Sequence, residues 1–226
     1  GKANTFLEKG TFGKKYWEVV DGKVKPVFKG KSFSDIVKPI ENAGKTDEFR
    51  AYLVAARTIE LANRNITTGI SKKDAQAAIE ELEAKNPEFK EAANDLYQYQ
   101  NDLFDYAIEN GLIGTEIGNK IKGLNKFRVP FYRVFEEMKS SYMGGKKIAG
   151  NLPNVIKKIK GSEREIIDPL ESIIKDTYTI INAVERNNVG IAMVYLASQH
   201  FELGRLFEEV DQPMKATNVN MKEILE

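Results

Sequence analysis

The sequence predicts a mainly α fold: an elongated multi-helix domain with a long C-terminal helix and a small N-terminal β-hairpin. Three observations carry this. Asp168-Pro169-Leu170-Glu171 joins an N-cap, a Pro suited to the first helical position and the acidic residue of a capping box. Phe89, Ala93, Leu96, Leu103 and Ala107 form an apolar stripe spaced four, three, seven and four. Tyr16–Val20 and Lys23–Phe28 flank Asp21-Gly22, a dipeptide suited to the positive φ of a two-residue hairpin turn.

The elements follow in chain order. Pro26 cannot donate to a ladder, so the second strand is expected at an edge. A lone hairpin is marginal in water and must lean on helices or on a neighbouring region. After Gly30 the pattern becomes helical. A short helix is expected over Ser34–Asn42, limited by Pro39. Thr46 is the expected cap of a longer one whose Phe49, Leu53, Ala56 and Ile59 share a face, ending near Asn63. Ser71 with Asp74 reads as a variant capping box before Ala78, Ile79 and Leu82. Asn86-Pro87 reads as cap and first helical residue of the stripe helix, which Gly111 closes. Thr115 is expected to cap a short helix to Ile121, Asn125–Pro130 to be extended, and Tyr132–Lys139 to be briefly helical before Gly144-Gly145. The final helix carries Leu170, Ile174, Ile181, Val184, Ile191 and Val194 and has room to reach Phe207. At 1.5 Å per residue such a helix spans roughly 50 Å, so it either kinks near Asn188–Gly190 or forms the spine of the domain. The expected division is 1–30 for the hairpin segment, 31–210 for the helical domain and 211–226 for an irregular tail.

Composition excludes more than it suggests. The chain has 226 residues, 34 Lys+Arg against 33 Asp+Glu, 42% hydrophobic residues, no Cys and one His. Without Cys there is no disulfide framework, thiolate zinc site, iron–sulfur cluster or cysteine nucleophile. One His rules out sites that need two imidazoles and leaves His200 alone for a Ser-His-Asp triad. No window reaches the ~18 uninterrupted apolar residues of a membrane span. The most apolar run, Asn188–Ser198, lies between Glu185-Arg186 and Glu202 and is expected to be buried in protein. The chain opens Gly1-Lys2-Ala3 without an initiator Met or a signal segment, as expected of a piece of a longer polypeptide.

The formal net charge of +1 conceals a division. Residues 1–116 carry 17 basic and 19 acidic side chains, residues 117–162 carry 11 and 2, and residues 163–226 carry 6 and 12. The central block holds Lys120, Lys122, Lys126, Arg128, Arg133, Lys146, Lys147, Lys157, Lys158 and Lys160, with Phe127, Phe131, Tyr132, Phe135 and Tyr142 interleaved. Cations displace counterions from phosphate and rings stack on unpaired bases, so these ten basic residues are the candidate nucleic-acid contacts, to DNA or RNA. The simpler alternative is that they answer the acidic C-terminal helix.

Other candidates fall to plainer readings. Tyr142-Met143-Gly144-Gly145-Lys146-Lys147 lacks the spacing of a phosphate loop. Asp95, Asp102, Asp105 and Glu109 share one helix face and are expected to be solvated. Glu136-Glu137 point in different directions on a helix, and Tyr132-Arg133 alone does not make a tyrosine nucleophile site. Gln100 and Asn188 interrupt apolar stripes and are expected to be hydrogen-bonded partners that fix helix register. No cofactor or metal is expected.

Several runs carry a resemblance: Phe49-Arg50-Ala51-Tyr52-Leu53-Val54-Ala55-Ala56-Arg57, Asn65-Ile66-Thr67-Thr68-Gly69-Ile70, Val129-Pro130-Phe131-Tyr132-Arg133-Val134, Gly161 through Glu171, and Asn182-Ala183-Val184-Glu185-Arg186-Asn187. With Tyr16-Trp17-Glu18-Val19 upstream, the chain resembles a helical associated domain of the large polyvalent proteins of phages and conjugative elements. The resemblance implies other domains of a larger polypeptide as partners, delivery together with DNA, a virion-internal or host-cytoplasmic setting, and no catalytic residues. The expectation is therefore a non-catalytic structural or interaction module. Its alternatives are a nucleic-acid-binding module built on the 117–162 block and part of an enzyme completed by flanking domains.

Overall fold

A computed structural model describes residues 1–65, 70–116, 118–119 and 168–200. Among them the chain is mainly helical, with one two-stranded antiparallel hairpin and a long C-terminal helix.

The first element is a helix that the sequence reading placed inside a hairpin segment. α1, Lys2–Glu8, buries Ala3, Phe6 and Leu7, which stand at the spacing of one helix face. Seven residues cannot hold a helix in water alone, so tertiary packing fixes it. Phe6 is fully buried and meets the rings of Phe12, Tyr99 and Tyr106 edge-on at 4.6, 6.3 and 5.6 Å.

The hairpin follows as β1, Trp17–Val20, and β2, Lys23–Pro26, paired Val20 to Lys23 and Trp17 to Pro26. Asp21 and Gly22 take φ of 54° and 72°, the double left-handed turn that suits the twist of a two-residue loop. All eight strand residues are exposed. Below the strands the two arms stay joined, Val27 N–H donating to the Tyr16 carbonyl and Lys29 N–H to that of Thr11.

α2, Phe33–Asn42, starts from Ser32 in a full capping box with Asp35, one residue before the expected start. The helix ends at Asn42 as expected, three residues beyond Pro39, which lies inside it. As the seventh residue Pro39 has no N–H to offer the Asp35 carbonyl, a local cost carried by a helix that ends three residues later. α3, Thr46–Asn63, is capped by Lys45 with no side-chain bond, so Thr46 is its first helical residue and not its cap. Its buried face is broader than expected, taking in Phe49, Ala51, Tyr52, Leu53, Ala55 and Thr58, while Ala56 and Ile59 are half-buried. α4, Lys72–Lys85, is capped by Ser71, whose Oγ accepts from Asp74 N–H and donates to the Asp74 carboxylate.

α5, Glu88–Glu109, buries the whole predicted stripe from Phe89 to Ala107. Asn86 does not cap it. Its side-chain amide donates to Glu48 at 3.0 Å, tying α5 to α3, and Pro87 stands at the cap. Gly111 turns the chain with φ of 73°. Beyond it Gly118 N–H bonds the Gly114 carbonyl, so Thr115 lies within a helical turn and does not cap it. The elements expected over 121–167 and the tail after Val210 lie outside the described residues.

α6, Pro169–Gln199, begins where Asp168 accepts from Leu170 N–H at 2.9 Å with Pro169 in the first turn. Glu171 pairs with Lys175 and takes no part in a reciprocal cap. The helix runs unbroken through Asn188–Gly190 and ends at Gln199, short of Phe207, because His200 is extended at φ −131° and ψ 110°. Apolar spacing sets where a helix can lie and says little about where it stops.

α5 and α6 run parallel. Tyr99 meets Thr177, Tyr106 meets Glu185 and Asn110 meets Asn188, a nearly constant offset in sequence. Since α5 ends at Glu109, α6 continues past it for 11 residues, Val189–Gln199, or roughly 16 Å. The run expected to be buried in protein is largely exposed there: Val189, Ile191, Met193, Val194, Tyr195 and Leu196 are each about half or more open to solvent. No helix among the described residues is long and apolar enough to cross a membrane.

Candidate functional site

The concentrated carboxylates of the described chain lie on α5. Asp95, Asp102 and Glu109 recur every seven residues, two turns apart, and so share a face. Asp102 departs from the solvated row the sequence suggested, while Asp95 is half-buried and Glu109 exposed, each paired with a lysine. Asp102 is buried and accepts from Thr11 Oγ1 at 2.6 Å and from Gln98 Nε2 at 2.8 Å. Glu109 accepts from Lys14 N–H at 2.8 Å and from Lys29 Nζ at 2.5 Å, and Asp95 pairs with Lys31 Nζ at 2.6 Å. The row is a clasp that holds the incoming and outgoing strands of the hairpin against the bundle.

Small residues make the clasp possible. A Cβ on Gly30 would stand 2.7 Å from Asp102 Oδ2, and one on Gly13 would stand 2.6 Å from Glu109 Oε2. At Gly30 the carboxylate is buried and hydrogen-bonded, so the close approach calls for glycine, whereas at Gly13 the atoms in the way are the mobile ends of Glu109 and Lys29. The sequence held the signal: residues 9–31 carry seven Lys against Glu18 and Asp21, facing three acids spaced seven residues apart. Spacing on one helix cannot say what lies opposite it.

A second polar cluster ties α1 to the end of the bundle. Glu185 Oε1 accepts from Lys2 Nζ at 2.8 Å and from Tyr106 Oη at 2.7 Å. Burial alone would raise the Glu185 carboxyl, but these two donors outweigh it and hold it below the ordinary glutamate range. Burial, reinforced by the carboxylate, pushes the Tyr106 phenol well above its usual value. A third cluster joins α3, α4 and α5. Arg57 pairs with Glu60 at 2.5 Å, Tyr52 donates to Glu83 at 2.7 Å, and burial with the Glu60 charge pushes Tyr97 up to about 12. These phenols stay neutral at physiological pH, and those of Tyr52 and Tyr106 serve as donors.

The two polar residues within apolar stripes differ. Asn188 donates to Asn110 Oδ1 at 3.1 Å, at the point where α5 ends. Gln100 is buried, and its Oε1 finds no donor among the described residues. No three His, Asp or Glu side chains among the described residues come together as a metal site. His200, the sole imidazole, is exposed at the end of α6. The basic candidates Lys120, Lys122, Lys126, Arg128, Arg133, Lys146, Lys147, Lys157, Lys158 and Lys160 lie outside the described residues, as does the Tyr142–Lys147 loop. Compared with known proteins, the chain matches no family model, no curated protein and no solved structure.

Proposed function

We propose that this chain is a non-catalytic helical module of a phage or mobile-element polyvalent protein, working as a structural and interaction unit beside other domains and delivered with DNA. One observation carries the structural part of this reading: the carboxylate row of α5 is engaged in holding the chain's own N-terminal segment. Groups so engaged position backbone. The exposed apolar hairpin and the exposed end of α6 supply surfaces for neighbours. The phage setting rests on the sequence resemblance. A turnover screen against nucleic acids and nucleotides should be blank, and reproducible activity abolished by changing Arg133 would overturn the proposal.

The charge division favours a second reading, nucleic-acid binding through residues 117–162. Anisotropy with single- and double-stranded oligonucleotides should then show a salt-dependent affinity that falls on charge reversal of Lys157, Lys158 and Lys160. Absent binding, or binding with no salt slope, would remove it.

A further inference from the structure

Asn110 caps the end of α5 and is tied there to α6. Its carbonyl accepts from Asn187 Nδ2 at 3.4 Å and its Oδ1 from Asn188 Nδ2 at 3.1 Å, while its own Nδ2 donates to the Tyr106 carbonyl at 2.8 Å. The residue is 9% exposed. Gly111 follows it, and Asn110-Gly111 is the sole Asn-Gly pair in the sequence. The side-chain amide of an Asn is an electrophile within reach of the next residue's backbone nitrogen. A glycine, with no Cβ, shields that nitrogen least and leaves it freest to turn.

We propose that Asn110 is a deamidation site gated by this joint: closed while Asn187 and Asn188 hold it, open when α6 lifts from the end of α5. Two further features close it in the folded chain. At ψ of 7° the Gly111 nitrogen eclipses the nitrogen of Asn110 and is turned away from Cβ, where ring closure needs it. Gly111 N–H is also bonded to the Ile108 carbonyl at 2.9 Å and must be released before it gives up its proton. Without α6 the last turn of α5 frays as helix ends do, and both constraints go. The Gly111 nitrogen then loses its proton to hydroxide and attacks Cγ. The N–Cγ bond forms, the Cγ–Nδ2 bond breaks, and Nδ2 takes a proton from water and leaves as ammonia. Water opens the resulting five-membered imide at either carbonyl, giving Asp or isoaspartate, with nothing oxidised or reduced. A carboxylate at this position has no proton for the Tyr106 carbonyl, which keeps only the backbone N–H of residue 110 at 3.2 Å, and it sets a charge in a nearly buried place. Isoaspartate moreover inserts the former Cβ into the backbone at the helix end. Either product hinders closure of the joint, so an opening leaves a lasting mark. This chemistry goes beyond the proposed module function and does not depend on it.

Peptide mass mapping of the intact chain tests it, after incubation at mildly alkaline pH with and without denaturant. Asn110 should convert at least about tenfold faster in the unfolded chain than in the folded one. Asn187→Ala combined with Asn188→Ala should raise the folded-state rate at least about threefold and leave the unfolded-state rate unchanged. Leu53→Ala, a core change on α3, should raise it less, each variant being held where its dichroism is native. Folded and unfolded chains that convert equally fast would overturn the proposal, as would a double variant that converts like the parent. Equal acceleration by Leu53→Ala would mean that only global unfolding opens the site, which refutes the joint as its gate. Asn110→Asp, made directly, should lower the thermal midpoint, and an unchanged or higher midpoint would refute the lasting mark. Each of these outcomes leaves the turnover screen, and the reading it tests, standing.

Discussion

The first 31 residues contain two regions of opposite character, the anchor and the hairpin. The anchor comprises α1, Thr11, Phe12 and Gly30, and its Ala3, Phe6, Leu7 and Phe12 enter the same core as α5 and α6. The hairpin, 17–26, is exposed on both faces although Trp17, Val19, Val24 and Pro26 share one of them. Both stretches contain aromatic and aliphatic residues. They differ in what faces them. The anchor lies against a helix that offers apolar rings and three carboxylates spaced seven residues apart, and the hairpin extends beyond the reach of either. Burial here follows from where the chain is held, more than from how apolar it is.

The sharpest way to break the contrast is within the anchor. Phe6→Ala should cost about 3–5 kcal/mol by leaving a cavity among Phe12, Tyr99 and Tyr106, read as a lowered denaturant midpoint. The clasp comes next. Asp102→Ala strands the fully buried Thr11 hydroxyl and should cost about 1–3 kcal/mol, and Gly30→Ala should cost a similar amount by driving a methyl into the same carboxylate. Hydrogen exchange would show whether loss of the clasp frees residues 9–31 before the bundle opens.

Acid titration sharpens the comparison at lower energy. Glu185 is held below its ordinary range in the fold, so its contribution is present at neutral pH and is lost as pH falls through that lowered value. The group is more than a third exposed, which limits the effect to about 0.5 kcal/mol. Lys2→Met should therefore reduce the stability difference between neutral and acid pH by that order, measured in parallel denaturant titrations. The smallest effect belongs to the hairpin. Trp17→Ala should change global stability by less than about 0.5 kcal/mol, and a larger loss would mean that the hairpin bears on the core after all.

Much of this fold was legible in the sequence because the deciding signals were local. Asp21-Gly22 set the hairpin turn, Ser71 and Asp168 set helix starts, and the Phe89–Ala107 stripe set the buried face of α5. What escaped depended on distant partners. α1 is too short to be announced by periodicity and is held by rings nearly a hundred residues away. Asn86 looked like a cap and instead reaches Glu48. The acids of α5 looked solvated because nothing in their own helix reveals the lysines and glycines opposite. Likewise, the apolar run after Asn188 outlasts the helix it would pack on, a mismatch of lengths that composition cannot register.

The position of Trp17 has a spectroscopic consequence. It is the only indole in the chain and stands 55% exposed, with its ring 4.3 Å from that of Tyr16. Its emission should resemble that of a solvated indole even in the native protein, so steady-state fluorescence will be nearly blind to the melting of the helical core. The phenols of Tyr99 and Tyr106, immobilised in the interior, should dominate the near-ultraviolet dichroism. One molecule thus carries two optical channels, an emission that follows the hairpin and a dichroism that follows the core. An experiment that recorded only the first would take a cooperative protein for an unfolded one.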